Sequence, residues 1–407
     1  MKPGYKQTEV GVIPEEWEVR PLLKAVRIAN GQVDPRAEPY KSMILVAPDH
    51  IESDTGRLLA RQTAGEQRAI SGKYAFDSGD IIYSKIRPYL RKAVLAEFDG
   101  LCSADMYPLK PASDISGGFM LAVLLGYRFS KYAESVSVRS GMPKINRAEM
   151  ADFSVAIPPV FEQRAIAEAL SDVDALLGTL DRLIAKKRNL KQGAMQQLLT
   201  GQTRLPAFHD EWEVKRLGDV GVFTKGSGIK KDEVVVEGLP CIRYGEIYTH
   251  HNDHVRAFNS FITAATAKQS QRLAKGDLLF AASGETTEEI GKCVAFLWDQ
   301  EAYAGGDIVI LRPSGQSSEY LGYLLNHASV SAQKARMGQG DAVVHIGARS
   351  LARVELHLPP LPEQTAIAEV LADMDAELTS LDQRRDKTRA LKQGMMQELL
   401  TGKTRLV

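Results

Sequence analysis

One stretch of about 44 residues occurs twice, and any fold for this chain must accommodate the repetition. EQRAIAEALSDVDALLGTLDRLIAKKRNLKQGAMQQLLTGQTRL begins at Glu162, and EQTAIAEVLADMDAELTSLDQRRDKTRALKQGMMQELLTGKTRL begins at Glu363. The two copies align without a gap at an offset of 201 residues, and 28 of 44 positions are identical. Apolar residues in the first copy recur at Ile166, Leu170, Val173, Leu177, Leu180 and Ile184. In the second they recur at Ile367, Leu371, Met374, Leu378 and Leu381. This alternation of four- and three-residue steps is the seam of a coiled coil. Further along, the seam is expected to shift through a stutter to Leu190, Ala194 and Leu198, and to Leu391, Met395 and Leu399. Each copy opens behind a double proline, Pro158-Pro159 or Pro359-Pro360, and closes on Thr-Gly, at Gly201 or Gly402. The alternative is two unrelated amphipathic helices, each packed on its own domain. Matching seams of equal length are explained more simply by the two copies packing on one another.

Their relative direction follows from length. A helix of roughly 40 residues is about 60 Å long. The roughly 155 residues between the copies form a globule with a radius of gyration near 15 Å. That globule must join the end of one helix to the start of the other. Only an antiparallel pair sets those points side by side, so the expected plan is domain, helix, domain, helix, with one globular domain at each end of the pair. The expected boundaries are 1–159 and 205–360 for the two globular domains, and 160–204 and 361–407 for the spacer helices.

A fainter repeat runs through the globular parts. Glu16-Trp17-Glu18-Val19 matches Glu211-Trp212-Glu213-Val214, and Gly79-Asp80-Ile81-Ile82-Tyr83 matches Gly276-Asp277-Leu278-Leu279-Phe280. Arg91-Lys92-Ala93-Val94 resembles Gly291-Lys292-Cys293-Val294. Short β-type runs are expected at 43–46, 80–83, 93–96, 106–109 and 153–157, and again at 241–244, 277–280, 294–297, 308–311 and 354–358. A helix is expected at 118–134 and at 318–337. The fold class is therefore α+β: two pseudo-symmetric α/β domains and an antiparallel pair of long coiled-coil helices. The helices agree strongly and the domains weakly, so the helices do one job twice while the domains do different jobs on one scaffold.

Composition excludes several classes. No apolar run is long enough to span a bilayer, and the first residues carry no apolar signal core. The three scattered cysteines, Cys102, Cys241 and Cys293, fit a reducing cytoplasm and no disulfide frame. Net formal charge is zero, so a nucleic-acid partner would have to be met by local patches.

The most basic short segment is Ser84-Lys85-Ile86-Arg87-Pro88-Tyr89-Leu90-Arg91-Lys92. Lys85, Arg87, Tyr89, Arg91 and Lys92 make it a candidate DNA contact, since cations neutralise phosphates and Arg can read guanine. A second candidate loop runs through Arg139 and Lys144. Its counterpart in the second half passes Gln339 and reaches His345. Lys225, Arg243, Tyr244, His251, Ser283 and Lys292 complete the candidate contacts in that half. His250, His251 and His254 have the spacing of a metal pair on a helix, but the surrounding residues read as loop, so no metal is expected. Gly402-Lys403-Thr404 lacks the preceding glycine and strand of a phosphate loop. No methyltransferase, nucleotide-binding or nuclease motif is evident, which points away from catalysis.

Two unequal reading domains on a rigid spacer suit two separated blocks on one extended ligand. B-DNA repeats about every 34 Å, so a spacer of about 60 Å matches one to two turns. The chain resembles the specificity subunit of a type I restriction-modification system. The resemblance rests on both Pro-Pro-x-x-Glu-Gln segments, the Leu-Lys-Gln-Gly and Leu-Leu-Thr-Gly endings, and the Gly-Asp-Ile-Ile-Tyr-Ser-Lys-Ile-Arg-Pro-Tyr-Leu stretch. It implies no catalysis by this chain and two domains that each read one half of a bipartite double-stranded DNA site. It implies two methyltransferase subunits along the helices, which bind S-adenosylmethionine, and restriction/translocase subunits that join them. Base contacts cannot be carried over, because the family has no fixed contact motif. An enzyme with unrecognised motifs, or a scaffold that binds only protein, are the competing expectations.

Overall fold

The computed structural model describes residues 3–138, 141–340 and 343–406. Two compact units divide the chain. One comprises Met1–Arg182 with Asp382–Val407, the other Leu183–Leu381. Each of the two long helices, Val160–Leu198 and Leu361–Leu399, contributes one half to each unit.

In the first unit a four-stranded antiparallel sheet has the order Val26–Ile28, Met106–Pro111, Ile81–Ser84, Ala93–Leu95. In the second unit Gly221–Lys225, Ile308–Pro313, Asp277–Ala281 and Cys293–Phe296 repeat that order. The faint sequence repeat is thus a repeat of topology. A turn device accounts for its Gly-Asp match. Gly79 and Gly276 take φ of 91° and 93°, a region L-residues rarely adopt. The aspartate that follows accepts a backbone N–H from three residues earlier: Asp80 from Asp77 at 3.0 Å, Asp277 from Ala274 at 2.8 Å. The strand that leaves this turn is buried along its length in both units.

A second sheet accompanies each, three-stranded in the first unit and five-stranded in the second. Ile44–Val46 pairs in parallel with Gly100–Cys102, and Leu239–Ile242 pairs in parallel with Tyr303–Ala304. The edge strands Val26–Ile28 and Gly221–Lys225, and the hairpin Tyr5–Thr8 with Gly11–Pro14, carry no strong apolar alternation and escaped the sequence reading. Segment 241–244 is corrected: the strand ends at Ile242, and Tyr244–Thr249 is a helix. Each expected single helix is two. Gly117–Leu125 and Tyr127–Val136 break at Gly126, which is extended at ψ 154°. Ser318–Leu324 and Ala328–Ala335 break before His327, whose ring accepts the Ser329 N–H as an N-cap.

The helix halves are antiparallel within each unit. In the first, Glu162 pairs with Arg405 at 2.6 Å and Asp174 with Lys392 at 2.6 Å. In the second, Lys187 pairs with Glu377 at 2.7 Å, Lys191 with Asp375 at 2.8 Å, and Arg204 with Glu363 at 2.5 Å. Numbers rise along one helix as they fall along the other. The predicted seam faces inward: Ile166, Leu170, Leu180, Ile184, Ile367 and Leu371 are buried, and Val173, Leu177, Met374, Leu378 and Leu381 are half-buried. Ile166 and Leu170 join the core of Trp17, Phe119 and Phe129, and Ile367 and Leu371 join that of Tyr320 and Tyr323.

The expected shift of the seam onto Leu190 and Leu391 is corrected. Those leucines are 49% and 59% exposed. The next residues, Lys191 and Lys392, turn inward instead and reach Asp375 and Asp174. Each lysine buries its alkyl stem along the seam while its ammonium meets a carboxylate, so a charged pair replaces an apolar layer.

The double-proline motif acquires a structural meaning. Gln163 donates to the Pro158 carbonyl at 2.9 Å and to that of Asp114 at 3.1 Å, while its own carbonyl accepts from Ser116 N at 2.8 Å. Gln364 donates to Pro359 at 2.8 Å and accepts from Ser317 N at 3.0 Å. Helix start and domain are thereby tied by one amide in each unit. The preceding glutamates, Glu162 and Glu363, are completely buried and take the arginine of a Thr-Arg-Leu tail in a two-pronged grip. Glu162 also accepts from Trp17 Nε1 at 3.0 Å. Gly201 and Gly402, at φ 70° and 69°, turn the chain out of each helix toward those arginines.

Candidate nucleic-acid interface

In the first unit the two candidate loops, distant in sequence, form one structure. Arg87 N donates to Pro143 O at 2.8 Å, Ile145 N donates to Lys85 O at 2.9 Å, and Ile86 bridges Lys144. Between them Pro88–Leu90 makes a single tight turn, flanked by Arg87 and Arg91 in the left-handed conformation, at φ 48° and 45°. Two non-glycine residues there cost of order 1–3 kcal/mol each, and such strain concentrates at functional sites. Pro88 is buried beneath the turn, so the loop is anchored rather than floppy.

Its side chains divide into two groups. Arg87 and Lys144 are exposed, Tyr89 is 52% exposed, and the Arg87 guanidinium pairs with no carboxylate among the described residues. Lys85 lies over the Tyr107 ring at 5.1 Å, and Arg147 lies over the same ring at 5.7 Å. These five project the chemistry that phosphates and base edges require. Arg91 instead pairs with Asp54 at 3.2 Å, and its buried Nε has no partner. Lys92 donates to the Pro48 carbonyl at 2.7 Å, so its role is to hold the neighbouring turn. Arg139 lies outside the described residues.

Arg147 was missed by the sequence reading. A signal existed: Asn146-Arg147-Ala148-Glu149 is a capping box, with Asn146 accepting from Glu149 N at 2.9 Å and Glu149 accepting from Asn146 N at 2.7 Å. It starts the helix Arg147–Ala151, and Arg147 then donates to Ala29 O at 2.9 Å and to Asn30.

In the second unit the same two loops meet again. Ser283-Gly284 pairs with Val344-His345, Ile346 N donates to Ala282 O at 2.9 Å, and Gln339 and His345 exchange backbone bonds of 2.9 and 2.8 Å. Gln339 and His345 are exposed; Ser283 is buried, within 3.0 Å of His345 Nδ1. The loop that leaves Ser283 carries exposed Glu285, Glu288 and Glu289 in place of the first unit's cations. The two loop pairs have one backbone plan and opposite charge.

The remaining candidates stand elsewhere. Lys225 is exposed at the end of the edge strand. Tyr244 is 41% exposed, beside Arg243, which pairs with Glu246 at 3.4 Å. His251 is withdrawn as a surface contact because it is buried, and that burial, foremost, lowers its pKa below the usual imidazole value. Lys292 is withdrawn as well: its ammonium donates to the His251 and Tyr248 carbonyls at 2.8 and 3.3 Å. His254 reaches the Glu319 carbonyl at 3.1 Å and packs edge-on against Tyr323, so the histidine cluster is dispersed.

Two copies of one α/β fold, each presenting a bridged pair of loops of its own charge and each fastened to antiparallel helix halves, define a two-domain recognition protein. The chain belongs to the family described as "Type I restriction modification DNA specificity domain", which it matches twice, over residues 14–186 and 209–388. The Escherichia coli type I restriction enzyme EcoDI specificity subunit is 35% identical over 202 residues, covering 49% of this chain and 45% of that protein. The alignment thus spans less than half of that relative. A type I restriction enzyme MjaX specificity subunit of Methanocaldococcus jannaschii, itself described as putative, is 24% identical across 99% of this chain and 97% of its own. The type I restriction-modification S subunit from M. genitalium superposes with a TM-score of 0.60 at 15% identity, covering 98% and 99% of the two chains. A chain from a structure of type I R-M complex assembly superposes at 0.59 with 18% identity, over 96% and 99%. At those identities the structural likeness concerns the fold.

Proposed function

We propose that this chain is the DNA-reading specificity subunit of a type I restriction-modification complex and performs no chemistry itself. Each recognition domain reads one half of a split double-stranded target around an unspecified gap. The carrying observation is the twice-built pair of bridged loops with different side chains: one scaffold, two readers. In the first domain Arg87, Tyr89, Lys144, Lys85 and Arg147 supply cations and stacking surfaces. In the second, Gln339, His345 and the glutamates supply hydrogen-bonding groups that suit base edges better than phosphates. The recognition domains span 1–159 and 205–360, and the helices at 160–204 and 361–407 space them.

The exposed flanks of those helices dock two methyltransferase subunits, which carry S-adenosylmethionine; restriction/translocase subunits complete the complex in the cytoplasm. The test is retention of duplexes from a random pool by the chain with its methyltransferase subunits, alongside incubation of the chain alone with labelled S-adenosylmethionine. Enrichment of one split sequence, and no methyl transfer by the chain alone, are expected. Equal retention of all duplexes contradicts the assignment, and transfer by the chain alone makes it an enzyme.

A further inference from the structure

The second unit buries a lysine in its core. Lys334 lies in the helix Ala328–Ala335 and is 1% exposed. Its ammonium donates to the Gly291 carbonyl at 2.6 Å and to the Leu325 carbonyl at 2.7 Å. No carboxylate is among these partners. The neighbouring Cys293 thiol is pushed up to about 12 by its own burial and stays neutral. Burying an ammonium costs free energy, which these two hydrogen bonds offset in part.

The ammonium fixes the stem of the candidate reading loop. That loop leaves the sheet after Ala281 and returns at Gly291, whose N–H closes it on the Ala281 carbonyl at 3.1 Å. Lys334 holds the other end of the same residue, through the Gly291 carbonyl. The next residue, Lys292, holds the stem from the opposite flank through the Tyr248 and His251 carbonyls. Two ammonium groups thus grip four carbonyl oxygens around the point where the loop rejoins the sheet.

The first unit supplies an internal control. At the position of Lys334 it has Ala133, fully buried in the corresponding helix, and at the position of Gly291 it has Arg91. Both Gly291 and Arg91 have positive φ, 70° and 45°. A Cβ on Gly291 would sit 3.2 Å from Lys334 Cδ, a tight contact that the lysine could relieve only by shifting a few tenths of an ångström. The cation has moved from the loop in one repeat to the helix beneath it in the other, and the glycine makes room for it. Lys92 and Lys292 keep the same job in both, gripping the carbonyls of the adjacent segment.

We propose that Lys334, seconded by Lys292, is a positioning residue that sets the conformation of the 283–290 loop and so determines the half-site that the second domain reads. It touches no DNA. This rests on the proposed DNA-reading function, and two readouts keep the two apart. The first is hydrogen exchange of amides 283–290 in the full chain without DNA. Lys334→Met is expected to speed their exchange at least tenfold, with the first domain unchanged; unaltered exchange overturns the clasp whatever DNA does.

The second readout is selection from a random duplex pool, in the presence of methyltransferase subunits. Lys334→Met is expected to reduce base preference at one half-site tenfold or more and to leave the other within twofold. The double variant Lys334→Ala with Gly291→Arg, which installs the first unit's arrangement, is expected to recover part of the loss. Full preference at both halves in Lys334→Met overturns the proposal, as does equal loss at both. Should Lys334→Met not accumulate as folded protein, Lys292→Met releases the same stem from outside the core and is held to the same two outcomes. If the wild-type chain enriches no split sequence, the DNA-reading assignment fails, and the exchange result still decides the clasp.

Discussion

Replacing Arg405 by alanine strands a carboxylate. Glu162 is completely buried and accepts three hydrogen bonds: two from Arg405, at 2.6 and 2.9 Å, and one from Trp17 at 3.0 Å. The arginine side chain is 21% exposed and also reaches Glu16 at 2.9 Å. Its pKa is raised, above all by the hydrogen bonds to Glu162 and then by those to Glu16. Breaking one member of a buried pair costs about 3–5 kcal/mol, because the other charge remains buried without compensation. Partial solvent access at Arg405 and the surviving Trp17 donor favour the lower end, about 3 kcal/mol.

For a unit of about 200 residues, 1 kcal/mol moves Tm by roughly 2–4 °C, so Arg405→Ala should lower the transition of the first unit by about 6–12 °C. Scanning calorimetry at neutral pH reads this directly. Glu162→Gln combined with Arg405→Ala should be less damaged than Arg405→Ala alone, since a neutral amide leaves no buried charge. The coupling from the double-mutant cycle should exceed about 2 kcal/mol. A Tm shift below about 1 °C, or a coupling indistinguishable from zero, would refute the claim that this pair fastens the helix end to the first domain.

Arg87→Ala should weaken cognate-duplex binding by about 1–3 kcal/mol, roughly 5- to 150-fold, with methyltransferase binding unchanged, as measured by fluorescence anisotropy at fixed salt. Lys191→Met should destabilise the second unit, because among the described residues Asp375 then keeps only Tyr323 at 2.9 Å and Arg256 at 3.1 Å; urea unfolding should show a lower midpoint. Burial lowers the pKa of Lys334 to about 8, against an ordinary lysine value near 10.5. Between those values the unfolded chain binds the extra proton, so stability from this group rises with pH from about 8 to 10.5. The wild-type minus Lys334→Met difference in unfolding free energy should therefore change in favour of wild type across that window, and a flat difference would contradict the buried ammonium.

The helices were legible because their signal is redundant: two copies, a repeated seam, prolines at one end and glycines at the other. Even there the sequence misled at Leu190 and Leu391, since a lysine next to a leucine gives no hint that its stem, rather than the leucine, enters the seam. The site was half legible. The loops through Arg87 and Lys144, and through Ser283 and Gln339, stood out by composition, but their pairing across more than fifty residues is a matter of topology. Charge also misled. Lys92 and Lys292 look like phosphate contacts in a string of letters, yet both spend their ammonium groups on backbone carbonyls. Lys334 was invisible because a lysine in an amphipathic helix is ordinarily a surface residue.

In the proposed function, the lengths of the two helices space the two half-sites. Inserting seven residues at equivalent points of both helices adds two turns, about 10 Å in total. Methylation mapping of a genome carrying the altered complex should show both specified blocks intact and the gap between them longer by about three base pairs. An unaltered gap, with methylation retained, would mean that helix length does not set the spacing.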